Sequence, residues 1–193
     1  MAITKKEKLL RYEQSLDNLA KEQSGHVFLN KNVEHAGVVL KKIIEYATHD
    51  VAILDDSLNG DIVAACPNIL DLIERSVRDG KRLSFVLRSN ENTNAAIADV
   101  FTRLIDRHDG SLRVAKASEQ FLERMHDEVA RLTVVDGDVN FAVSDSNAIR
   151  LEHTPGERAA LCTFNDPMIP SRLLHVFNQE FEDLKPFFDP HIE

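Results

Sequence analysis

The chain is poor in cysteine: Cys66 and Cys162 are the only two. Two thiols cannot build a disulfide framework and fit a reducing compartment. Neither lies in a CxxC motif or a Cys/His cluster, so no zinc site is expected. Cys162, within ALCTF, reads as a buried strand residue, and Cys66, before Pro67, as a helix-entry residue. Glycine is also scarce, with seven in all, which leaves little material for a loop that cradles phosphate. There is no P-loop, no GxGxxG and no nucleophile elbow, and the eight histidines include no HExxH pair. No metal or cofactor is expected. No stretch approaches the ~20 apolar residues of a membrane span, and residues 1–23 lack the apolar core of a secretory signal. These absences predict a cytoplasmic protein with no membrane partner. A basic excess is missing too. Lys and Arg number 23 against 32 Asp and Glu, a formal net charge of -9, which argues against broad nucleic-acid binding but leaves room for a local basic groove.

What remains is ordinary for a globular chain. With 193 residues, 43% of them hydrophobic and 28% charged, it can bury one sizeable core. Residues 3–22 are helical in character with a narrow apolar stripe of Leu9, Tyr12, Leu16 and Leu19, ended by Ser24-Gly25. This divides the chain into an N-terminal helix, 1–24, and a domain, 25–193. Strand candidates at 26–30, 51–57, 82–89 and 112–117 alternate with amphipathic helices at 33–47, 68–79 and 94–108. Apolar strands alternating with helices predict a mixed, mostly parallel α/β sheet covered on both faces. After a polar segment, 118–127, the pattern becomes antiparallel. Strands 148–154 and 158–165 flank a Pro155-Gly156 turn, and a closing helix runs over 170–184.

The segment HDEVARLTVVDGDVNFAVSDSN (126–147) reads as a hairpin: strand 129–135, an Asp136-Gly137-Asp138 turn, and strand 139–143 closing on Ser144. It resembles the signature hairpin of the phospholipase D superfamily, His-x-Lys-x(4)-Asp followed by Gly and then a Ser on the next strand. Set on Asp136-Gly137, the motif places Val129 at the histidine, Arg131 at the lysine and Ser144 at the serine. The order of elements over residues 25–185 also follows a phospholipase D half-domain. The resemblance implies a phospholipase D-like fold with a degenerate site. In the family one histidine attacks phosphorus and a second protonates the leaving group; valine can do neither. Arg131 could still hold a phosphate through its guanidinium. His126 would reach the site only through a bulge or shift in the strand.

Other residues bear on the site. Asp55, Asp56 and Ser57 end a strand where α/β ligands tend to bind, although adjacent residues point to opposite faces, and a strand exit is the simpler reading. Arg88, with Arg113, Lys116 and Arg131, could line a cationic rim. Phe187 and Phe188, exposed together, would be costly, so they dock on the domain or meet a protein partner.

The resemblance implies a homodimer, because family members pair two motifs and this chain has room for one. The function expected is a non-catalytic phospholipase D-like binding, scaffold or regulatory module. Protein partners would bind at the N-terminal helix or at the Phe187/Phe188 tail. Two alternatives stand beside it. One is a phosphodiesterase or nuclease using His126 with Arg131 and Asp136. The other is a sensor of a phosphorylated ligand held by Arg131 and Arg88.

Overall fold

A computed structural model of the chain describes residues 3–57, 60–89, 91, 93–107, 110–135, 139–154 and 157–188. It is an α/β structure built on one seven-stranded mixed sheet with helices on both faces. The strands are β1 (Phe28–Asn30), β2 (Asp50–Asp55), β3 (Arg82–Leu87), β4 (Leu112–Lys116), β5 (Asn140–Ser144), β6 (Ile149–Thr154) and β7 (Ala159–Thr163). They lie in the order β1-β7-β6-β5-β2-β3-β4. Only β2-β3 and β3-β4 pair in parallel; the other four pairings are antiparallel. The sheet is therefore mixed but not mostly parallel. The misplaced element is the strand expected at 26–30. It does not open the parallel series but lies at the far edge against β7, where Leu29 is half exposed.

One face is covered by α1 (Lys5–Lys21), α2 (Val33–Tyr46), α4 (Ile69–Arg78) and α5 (Ala95–Arg107), with the five-residue α3 (Asp61–Ala65) at its margin. The other face is covered by α6 (Glu119–Leu132) and α7 (Ile169–Phe181). The central strands split their side chains between the two. Val51 and Ile53 of β2 enter the first core, and Ala52 and Leu54 the second. Helix α3 was not legible in the sequence. Gly37 lets it approach α2, since a Cβ there would meet Cys66 Cβ at 2.9 Å.

Helix α1 begins with a capping box. Thr4 Oγ1 accepts from the Glu7 N–H, and Glu7 accepts from the Thr4 N–H. Its apolar stripe docks on α2, with Leu16 and Ala20 buried and the Tyr12 ring stacked on His35 at 4.0 Å. Asp17 accepts from Lys42 Nζ and Tyr46 Oη, so the ends of the two helices are tied by charge. The stripe proposed for a partner is thus occupied within the chain. The C-terminal tail docks as well. Phe187 donates its N–H to the Val114 carbonyl at 2.9 Å, and both Phe187 and Phe188 pack on the first core.

The strand expected at 129–135 is not a strand. Residues 119–132 form α6, capped by Ser118, whose Oγ accepts from the Phe121 N–H at 3.1 Å. Phe121, Met125 and Val129 recur at four-residue steps and are buried together with Phe177. That spacing, in a run of good helix formers, overrides the β-branched Val and Thr near the helix end. The hairpin that does form is β5-β6, one turn later in the sequence, with Phe141 opposite Leu151.

Candidate functional site: a buried polar row at one end of the sheet

The residues expected to form a site are not assembled as the sequence suggested. Val129 is buried on α6, in one core with Phe141 and Val143. Ala142, between those two, belongs to the opposite core, so Ser144 points to that opposite side as well. The sheet separates Val129 from Ser144. Ser144 Oγ pairs with Ser146 Oγ at 2.8 Å. Arg131 lies in the last turn of α6 with its Nη1 on Glu128 at 2.8 Å, and His126 belongs to the same helix. Asp136 and Gly137 lie outside the described residues. Arg88 ends β3, donating to the Val139 carbonyl at 2.8 Å and lying 3.4 Å from an Asp56 oxygen. Arg113 is bound to Ser84, Asn178 and Glu182.

A different polar cluster occupies the end of the sheet at which β2 and β3 terminate. The cross-strand register makes it. Asn30 lies opposite Ala160, Ala160 opposite Glu152 and Glu152 opposite Asn140; Leu54 opposite Phe141 then sets Asp55 beside Asn140. Asn30, Glu152, Asn140 and Asp55 therefore form one row across four strands, on the α2 face. Ala160 is small enough to leave room for two arginines. Arg150 Nε donates to Asn30 Oδ1 at 3.0 Å, and its Nη2 donates to Glu152 Oε2 at 2.8 Å and to the Arg158 carbonyl at 3.1 Å. Arg158 Nη1 donates to Asp55 Oδ1 at 2.9 Å, and its Nε and Nη2 fork onto the two oxygens of Asp61.

Arg158 adopts a left-handed backbone, φ 55°, an uncommon conformation for a residue with a Cβ. Six hydrogen bonds and ion contacts from the described residues to its side chain and carbonyl hold it there. Asp61 reaches it from α3, whose preceding Gly60 has φ 87°, a left-handed backbone that a residue with a Cβ rarely adopts, and a Cβ there would also press on Asn94 Nδ2 at 2.8 Å.

The electrostatics of the row are unusual for an interior. Two guanidiniums face three carboxylates, Asp55, Glu152 and Asp61. Glu152 is fully buried, and its Oε1 has no hydrogen-bond partner among the described residues. Burial raises the Asp55 carboxyl above its ordinary value, more than the neighbouring Arg158 lowers it. Burial would lower Arg158, but Asp55 and Asp61 hold it above the usual guanidinium range. Cys162 sits at the floor beside Asn30 and Arg150. Its thiol is pushed up to about 12 by burial, so it is an inert structural thiol. Every cation near the cleft is matched by an acid: Arg158 by Asp55 and Asp61, and Arg88 by Asp56. Such a mouth offers little to a phosphate. Among the described residues no group of three or more His, Cys, Asp or Glu is placed to hold a metal.

The sequence reading missed this cluster because its members come from β1, β2, β5, β6 and β7 and share no local motif. One signal was present. Arg150 and Glu152 alternate with Ile149 and Leu151 on a single strand, and charged residues at every second place on a sheet covered on both sides must be buried and paired.

No family model and no curated protein matches the chain. Among solved structures it is similar to TrmBL2, described as an archaeal chromatin protein with a novel mode of DNA binding. The two share 14% identity and superpose with a TM-score of 0.56, over 94% of this chain and 64% of that one. The chain thus spans slightly less than two thirds of that protein's length, and a likeness at this identity establishes the α/β fold alone.

Proposed function

We propose that the chain is a non-catalytic phospholipase D-like module, a binding, scaffold or regulatory domain that works as a homodimer. What carries the reading is the motif set on Asp136-Gly137, which keeps the acid, the turn glycine and Ser144 but has Val129 at the histidine and Arg131 at the lysine. Val129 is buried on α6 and has no lone pair with which to attack phosphorus, and Arg131 is held by Glu128. On the strand that carries Ser144, Asn140 bonds to Asp55 and Arg88, within the buried row. Asp145 is spent on structure, its two oxygens accepting from the N–H groups of Thr48 and His49 at 2.9 and 2.7 Å.

The enzyme alternative needs His126 beside Ser144, and α6 covers the face of the sheet opposite Ser144. The sensor alternative needs unmatched cations, and both Arg131 and Arg88 face acids. TrmBL2 binds DNA, but a net charge of -9 gives this chain no general attraction to phosphate backbones. No helix among the described residues is long and apolar enough to cross a membrane.

The test joins a mass to an assay. Light scattering of the purified chain should give twice the chain mass, and bis(p-nitrophenyl) phosphate should remain uncleaved with and without divalent cations. A monomer would remove the dimer from the proposal. Turnover lost on substituting His126 would overturn the non-catalytic reading itself.

A further inference from the structure

An apolar cavity of about 60 Å³ opens beside the polar row, between α2, α3, α4, α5 and the ends of β2 and β3. Its walls are aliphatic and aromatic, chiefly Leu40, Ile53, Ile62, Ile73, Phe85 and Phe101. A smaller cavity of about 20 Å³ adjoins it, shares Leu40, Ile53, Asp55 and Ile62, and ends on Asn140 and Arg150. A packed water or carbon group takes roughly 25–30 Å³, so the outer space holds about two or three such groups and the inner one about one.

The hydrogen-bond ledger at the junction specifies the chemistry. Asp55 Oδ1 accepts from the Asp56 N–H, Arg158 Nη1 and Asn140 Nδ2, at 2.8, 2.9 and 3.4 Å. Its Oδ2 is left as an unused acceptor among the described residues. Arg150 spends Nε on Asn30 and Nη2 on Glu152 and the Arg158 carbonyl, leaving Nη1 as an unused donor. One acceptor and one donor of opposite charge thus belong to the two residues that flank the inner space. An ammonium there would meet Arg150, and a carboxylate would meet Asp55. A hydrocarbon would leave both without a partner. A hydroxyl can donate to one and accept from the other while adding no charge to a site that already holds two cations and three acids.

We propose that this double cavity binds a small neutral alcohol, with an aliphatic body of about two or three carbons in the outer space and its hydroxyl between Asp55 and Arg150. The body would supply the dispersion contacts that an unfilled apolar space forfeits. The site stands whether or not the chain carries a decayed phospholipase D motif, since none of its argument uses that resemblance.

The test is a titration of the full chain, carrying ¹³C-labelled isoleucine methyls, with 1-propanol, propylammonium and propanoate in parallel. Propanol should shift the methyls of Ile53, Ile62, Ile73 and Ile97 saturably, and the two charged analogues should bind at least about tenfold more weakly. Leu70→Phe, at a partly exposed wall position, should fill the space and weaken propanol at least about tenfold while leaving the remaining methyl spectrum intact. Shifts that spread over the protein without saturating would overturn the proposal. So would charged analogues that bind as well as the alcohol, or propanol binding that Leu70→Phe leaves unchanged.

Discussion

The two faces of the sheet are made by the same strands and follow opposite rules. Under α6 and α7 the core is chiefly aromatic and aliphatic, with one buried acid, Glu128, paired with Arg131 and Arg172. Phe121, Phe141, Phe177 and Phe181 pack edge-on or tilted, with ring centroids 5.5–6.1 Å apart, among Leu, Val and Met. Under α1, α2, α4 and α5 the core over β2 and β3 is apolar as well, although it leaves the cavity at their ends. Toward β6 and β7, however, it holds Arg150, Glu152 and Arg158, each less than a tenth exposed. Stability on the first face comes from area and shape. On the second it depends on a set of charges that must all be present, because a buried ion pair gains little over apolar residues yet is costly to break. The proposed alcohol site belongs to the second face, where Asp55 and Arg150 flank the inner cavity.

The largest expected effects sharpen this contrast through pH. Phe177→Ala should cost about 3–5 kcal/mol in urea unfolding, and nearly the same at pH 5 as at pH 8, because no titrating group is involved. Arg158→Ala should also cost about 3–5 kcal/mol near neutrality, by stranding Asp55 and Glu152. Its loss must depend on pH. The Asp55 carboxyl is already raised in the fold, so its contribution favours folding when protonated and fades as pH climbs above the ordinary 3.8. Removing Arg158 raises it further and extends that decline upward, so the variant should recover part of its stability at pH 5. Equal losses at both pH values would make the row a set of packing contacts and erase the distinction between the faces.

A second expectation concerns the floor of the row, on the alkaline side. Burial holds the Cys162 thiol at about 12 against an ordinary 9.0. A group raised in the fold stabilises it below the unfolded value and loses that contribution as pH rises toward the folded one. Unfolding measured from pH 8 upward should therefore show about 2 kcal/mol lost through this thiol by about pH 10.5. Cys162→Ala should be less stable at pH 8 but should decline less steeply above 9. In the native state, thiol-specific reagents should modify the partly exposed Cys66 well before Cys162.

How much of this was legible depended on whether the signal was local. The apolar runs of β2, β3 and β4, the amphipathic α2, α4 and α5 and the docking of the Phe187/Phe188 tail follow from periodicity and from the cost of exposing apolar groups. Helix α6 was misread because an Asp-Gly pair and a Leu-Thr-Val-Val tract outweighed the four-residue spacing of Phe121, Met125 and Val129. That error moved the hairpin back by one element and carried Val129 and Arg131 into a site they do not form. The polar row was illegible for a different reason. Asn30 and Arg158 are 128 positions apart and meet only because β1 closes on β7. The long antiparallel return that brings them together leaves no trace in residue spacing.

The smallest effect tests the polar face where it is least complete. Tyr12 Oη is buried without a partner, and Glu152 Oε1 is the other such atom among the described residues. Both lie near Arg150: its charge acts on the tyrosine, and its Nη2 holds the glutamate. Burial raises the Tyr12 hydroxyl well above its ordinary value, so it stays protonated and would be a donor with nothing to donate to. Deleting it then breaks no bond and removes a desolvated dipole, while the ring keeps its stack on His35. Tyr12→Phe should be neutral or more stable by up to about 1 kcal/mol, where a satisfied buried hydroxyl would lose about that much. A loss of that size would mean that the two orphan atoms are partners through a trapped water, the hydroxyl donating to it and the water to Glu152. The polar face would then be as fully satisfied as the aromatic one, by solvent instead of by side chains.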